Sequence, residues 1–63
     1  MKDEFLAQLD AEIEAAQASL RFWRKQQEAH AGSELAVLVS AAADSHQAQL
    51  SHLERTRVEL SAL

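Results

Sequence analysis

The sequence predicts an all-α protein folded as an antiparallel two-helix hairpin of coiled-coil type. Three observations carry that expectation. Apolar residues in the first half recur at alternating spacings of three and four, which lays them in one stripe along a helix. The only glycine, Gly32, stands near the middle of the 63 residues. There is no proline, and one glycine alone offers little from which to build the β-turns of an all-β or α/β fold.

The first helix is expected over about residues 3–31. Its seam is Leu6, Leu9, Ile13, Ala16, Leu20, Trp23, Gln27 and His30, spaced 3-4-3-4-3-4-3. In heptad notation Leu6, Ile13, Leu20 and Gln27 take a, and Leu9, Ala16, Trp23 and His30 take d. Asp3 is the expected N-cap. Asp3 and Glu4 also place negative charge at the positive end of the helix dipole. The seam loses apolar character at Gln27 and His30, where the helix nears its end.

The turn is expected at about residues 31–33. Gly32 takes a left-handed C-cap conformation at little steric cost. Ser33 then offers a hydroxyl as the next N-cap, and Glu34 occupies the first helical position, where the dipole favours it. A stop followed at once by a start makes an antiparallel αα-hairpin.

The return helix is expected over about residues 34–62. Its apolar stripe runs through Leu35, Leu38, Val39, Ala42, Ala43, His46, Leu50, Leu53, Arg57 and Leu60. Ser40, Asp44, Gln47, Ser51, Glu54 and Arg55 form the solvated face. Two registers overlap in this stripe, so it is wider and less strict than the first seam.

Folding at Gly32 sets Trp23 opposite Ala42 and Ala43, and Ala16 opposite Gln49 and Leu50. It sets Ile13 opposite Leu53, Leu6 opposite Leu60, and Leu20 beside His46. Large residues meet small ones, as interdigitating layers require. Charges agree as well, with Arg21 opposite Asp44 and Asp10 opposite Arg55, although exposed pairs of this kind contribute only about 0–1 kcal/mol each. The expected core is Leu6, Leu9, Ile13, Ala16, Leu20, Trp23, Leu35, Val39, Ala42, His46, Leu50, Leu53 and Leu60.

A lone hairpin leaves apolar side chains over. Phe22, Val37, Val58 and Leu63 lie off the seam, and Leu38 sits at its edge. A second heptad-spaced line runs through Ala11, Ala15, Ala18, Phe22, Lys25 and Ala29, and its alanines would let another helix approach closely. A chain of this size, with neither disulfide nor metal, has little core to set against ordering entropy. A homodimer that completes a four-helix bundle is the simplest closed solution. Phe22, Ala11, Ala15, Ala18 and Leu38 are the candidate partner interface.

Composition excludes several functions. Six Lys and Arg against ten Asp and Glu give a net charge of −4, which disfavours nucleic acid as a general partner. Without cysteine there is neither disulfide framework nor zinc ribbon, and no cofactor or metal is expected. His46 and His52 point to different faces, and neither H-E-x-x-H nor Glu-x-x-His occurs. No apolar run is long enough to cross a bilayer. The acidic start Met1-Lys2-Asp3-Glu4 lacks a signal-peptide layout, so a cytoplasmic address is the expectation. Neither a nucleophile elbow nor a phosphate-binding glycine loop is present, and catalysis is not expected.

The remaining candidates are surface features. Leu20-Arg21-Phe22-Trp23-Arg24-Lys25 holds half of the basic residues. Arg21, Arg24 and Lys25 are candidate anion contacts. They are expected to fan out on different sides of the helix, with Asp44 and Glu28 near enough to neutralise some of them. His46 is read as a seam imidazole satisfied across the bundle, while His30 and His52 are expected to be exposed. Arg57 is expected to reach solvent, Asp10 or a carboxylate of a second subunit.

The expected function is a self-associating interaction module that docks a helix face on a protein partner by packing alone. The alternative is a dimeric bundle that binds nucleic acid or an anionic ligand through Arg21, Arg24 and Lys25. A third reading is an acidic inhibitor or decoy, presenting Asp3, Glu4, Asp10, Glu12 and Glu14 to a basic surface.

Overall fold

A computed structural model describes residues 1–63, all but Met1, Ala62 and Leu63 lying in or between two α-helices. Helix α1 spans Lys2–Ala29 and helix α2 spans Ala36–Ser61. The two pack side by side as an antiparallel rod of 47 × 15 × 11 Å.

Helix α1 starts earlier than its capping signal suggests. Its N-cap is Met1, which makes no side-chain cap, and Asp3 lies inside the first turn beside Glu4. There the two carboxylates act through the dipole rather than as a cap. At the other end the His30 N–H donates to the Gln26 carbonyl at 2.9 Å. Gly32 follows at φ 80°, the only residue with positive φ. A Cβ placed there would meet nothing within 4 Å, so backbone conformation, not space, selects glycine.

The connection is longer than the expected 31–33 turn, because Ser33 does not start the helix. Its N–H donates to the His30 carbonyl at 3.0 Å, and its hydroxyl donates to the same oxygen at 2.8 Å. The Leu35 N–H donates to the Ser33 hydroxyl at 3.2 Å, and the Ala36 N–H donates to the Ser33 carbonyl at 3.1 Å. Ser33 therefore caps a single tight turn, and Glu34 lies within that turn. The first regular bond of α2 runs from the Val39 N–H to the Leu35 carbonyl at 2.9 Å.

That late start sets the phase of α2. Its inward positions are Ala36, Val39, Ala43, His46, Leu50, Leu53, Arg57 and Leu60, an uninterrupted 3-4-3-4-3-4-3 seam. Val39, Ala43 and Leu50 are buried. Ala36, His46, Leu53, Arg57 and Leu60 are half-buried. Leu35, assigned to the core from sequence, is instead 49% exposed, because it stands one residue and about 100° off the seam. Ala42 is half-buried at the margin, and Ala43 takes the seam position. On α1 only Ala16 is fully buried, while Leu6, Leu9, Ile13, Leu20 and Trp23 are half-buried.

Side-chain lean adds one pairing to those expected, and the structure corrects another. Helical side chains tilt toward their own N-terminus, so in an antiparallel pair they tilt in opposite directions. Trp23 reaches back along α1 and His46 reaches back along α2. Their rings stack with centroids 6.1 Å apart and planes 17° apart, a pairing that the register alone did not give. The correction is that Asp10 meets Arg57, not Arg55. Arg55 is two residues away, about 200° round the helix, and fully on the solvent face. Gln27 also bridges the helices, donating from Nε2 to the Ser40 hydroxyl at 3.3 Å.

Candidate interaction surface

The seam is narrow, and its two flanks differ. On one flank the b and e positions of α1 carry Ala7, Asp10, Glu14, Gln17, Arg21 and Arg24. On the other, positions c and g carry Phe5, Gln8, Glu12, Ala15, Ser19 and Phe22. Each flank has one shallow groove where it meets α2.

The charged-flank groove has a volume of about 500 Å³. Leu20 and Leu50 supply its apolar lining, with Gln17, Arg21, Arg24 and Lys25 around it. The three basic residues thus share one groove and do not fan out. They also lack the expected neutralising partners, since Asp10–Arg57 is the only ion pair in the chain. Arg21 and Asp44 make no salt bridge, and the Arg24 guanidinium donates to Gln27 Oε1 at 2.9 Å. Lys25 joins this group because position f borders b.

The second groove, of about 340 Å³, is lined by Glu12, Ala15, Ala16, Ser19, His46, Gln49 and Leu53. Small side chains at Ala15 and Ser19 leave this depression. Phe5 and Phe22 stand on the same flank to either side of it along α1, each 53% exposed. The Phe22 ring meets Trp23 edge-on, with centroids 5.2 Å apart and planes 88° apart. Phe22, Trp23 and His46 therefore form a continuous aromatic run from the flank into the seam. On α2, Leu35 and the 69%-exposed Leu38 occupy the matching g and c positions near the turn.

The candidate interface residues divide between faces. Ala11, Ala15, Ala18, Phe22 and Leu38 are all exposed. Ala15, Phe22 and Leu38 belong to the apolar flank. Ala11 and Ala18 lie at f, on the outermost face of α1, and Lys25 belongs to the basic groove. The heptad line through Ala11 and Ala18 is therefore not one docking face. Phe5 escaped the sequence reading, although alternation of c and g positions in the α1 heptad would have found it.

Arg57 occupies a seam position but turns its guanidinium outward to Asp10. Its Nε and Nη2 each donate to one carboxylate oxygen, the second at 3.3 Å, in a two-pronged pair. The hydrogen bonds from Arg57 hold the Asp10 carboxyl below its ordinary value, and the Arg57 guanidinium is pushed up in turn. His30, expected to be exposed, is half-buried, and His52 is exposed. No group of three His, Cys, Asp or Glu side chains stands together where it could hold a metal ion. No helix is long and apolar enough to cross a membrane. No protein-family model, curated protein or solved structure matches this chain.

Proposed function

We propose that this chain is a helical interaction module that self-associates into a four-helix bundle and offers its remaining helix faces to a protein partner. The observation that carries this reading is the balance of burial. Four of 63 residues are buried, whereas Phe5, Phe22, Leu35, Val37, Leu38 and Val58 remain exposed. A second hairpin laid on the apolar flank would convert half-buried seam residues into a core. The module works by helix packing and involves no chemistry.

The test is molar mass by light scattering, with helical melting followed over a dilution series. The expected result is a dimer whose midpoint rises with concentration. A monomer that melts cooperatively at a midpoint independent of concentration overturns the reading.

A second reading rests on a separate observation. Arg21, Arg24 and Lys25 line one groove with an apolar floor, and none has a carboxylate partner. That groove suits an anionic ligand with an apolar portion, held by charge-assisted hydrogen bonds. Dimerisation would double the number of such groups and make a local basic surface on a chain of net charge −4.

A further inference from the structure

The apolar flank is laid out in a way that specifies how a second copy would sit. Its large side chains lie toward the two ends of the rod. Phe5 is near the open end, and Phe22, Leu35 and Leu38 are near the turn. The middle is small or polar, with Ala15, Ser19 and Gln49 around the 340 Å³ groove. We propose that a second copy of this chain packs on this flank end for end. Helix α1 then runs antiparallel to α1 of the second copy, and the two-fold axis crosses near Ala15. This rests on the self-association proposed above and adds its geometry.

Three observations support the arrangement. An isologous contact must be self-complementary, so each patch must find its match in the other copy. Turning one rod end for end brings the open-end Phe5 of each toward the turn-end cluster of the other. A parallel pairing stacks Glu12 on its own mate and leaves each cluster facing only itself.

Charge points the same way. Glu12 is the only charged residue at the c and g positions of α1, since Arg21, Arg24 and Lys25 lie on the opposite flank. Antiparallel packing about Ala15 sets Glu12 beside Ser19 of the second copy, whereas parallel packing sets it on its own mate.

The exposed area also has the right size. The chain exposes 4661 Å², against about 4,000 Å² expected for a compact monomer of 7.0 kDa. That excess approaches the roughly 800 Å² that each partner buries in a standard interface.

The chain has no cysteine, so one introduced thiol reports geometry directly. The variants are Ala15→Cys and Gln8→Cys, both at exposed positions of the apolar flank. Near the axis, two copies of position 15 fall within disulfide reach, which requires Cα atoms under about 7 Å apart. Two copies of position 8 lie roughly 16–27 Å apart, given 1.5 Å of rise per residue. Under mild oxidation the Ala15→Cys chain is expected to form covalent dimer at least tenfold faster than the Gln8→Cys chain. Circular dichroism confirms that each variant keeps its helices.

Equal linking of both variants indicates parallel packing and overturns the proposal. A dimer by light scattering in which neither variant links assigns the interface to another face, and likewise overturns it while self-association stands. A monomer by light scattering removes both.

Discussion

The indole of Trp23 lies over the imidazole of His46, with centroids 6.1 Å apart and planes only 17° apart. This stack joins the helices in the turn-side half of the seam, where each side chain leans toward its own N-terminus. Trp23→Ala is expected to cost about 2–3 kcal/mol, short of the 3–5 typical of a fully buried aromatic because Trp23 is half-buried. His46→Ala is expected to cost about 1–2 kcal/mol, combining lost packing with the stacked pair. His52→Ala, fully exposed, is expected to stay within about 0.5 kcal/mol. Urea melts of the three variants at one protein concentration check the ranking.

Leu50 and Leu38 give the sharpest contrast in burial among the leucines of α2. Leu50 is buried and Leu38 is 69% exposed. Leu50→Ala is expected to lose about 2–4 kcal/mol, a large share of the stability of so small a chain. Leu38→Ala is expected to change dilute-sample stability by less than about 0.5 kcal/mol. Thermal melts read both. A similar loss at the two positions would mean that Leu38 is already covered at the concentration used.

Gly32 is under a purely conformational constraint. Its φ of 80° is one that residues with a Cβ rarely adopt, and the space around it is open. Gly32→Ala is therefore expected to cost about 1–2 kcal/mol through backbone strain alone. Gly32→Asn is expected to cost less, since Asn tolerates the left-handed region. Equal midpoints for Gly32, Ala and Asn would contradict this account.

The Asp10–Arg57 pair carries a pH signature. Its hydrogen bonds lower the Asp10 pKa from 3.8 in the folded chain. A depressed carboxylate stabilises the fold at pH values above its unfolded pKa, and that contribution is lost as pH falls through the folded value. The stability difference between the wild type and Arg57→Gln is thus expected to be flat above about pH 5 and to shrink only in stronger acid. Carbon-detected NMR titration of Asp10 is expected to show its pKa returning toward 3.8 in Arg57→Gln. Because both groups reach solvent, the effect is modest and weakens with salt.

The basic groove makes a prediction about salt. A single-stranded oligonucleotide serves as the anionic probe. If the three groups Arg21, Arg24 and Lys25 contact its phosphates, a fourfold rise in salt should weaken binding by roughly 10- to 20-fold. Arg24→Glu should abolish binding, and Phe22→Asp should disrupt self-association instead. Fluorescence anisotropy over a salt series measures the first effect. Binding that ignores both salt and Arg24→Glu would remove this groove from consideration.

The hairpin was legible in the sequence because its determinants are local. A lone glycine sets the reversal, and the α1 seam is one unbroken heptad series from Leu6 to His30. The apolar stripe of α2 held two registers, one through Leu35 and Ala42 and the other through Val39 and Ala43. Choosing between them required knowing that the Ser33 turn delays the helix to Ala36, since one residue of delay rotates every later side chain by about 100°.

Pairing and grouping were decided by the tertiary structure. Side-chain lean brought Trp23 to His46, and the seam position of Arg57 brought Asp10 to it and not to Arg55. The same packing gathered Arg21, Arg24 and Lys25 around Leu20 and Leu50, and left Phe5 and Phe22 on the opposite flank. Sequence periodicity determines which residues share a stripe. What stands beside a stripe depends on the phase and tilt of the neighbouring helix, and those are set by packing between segments far apart in the chain.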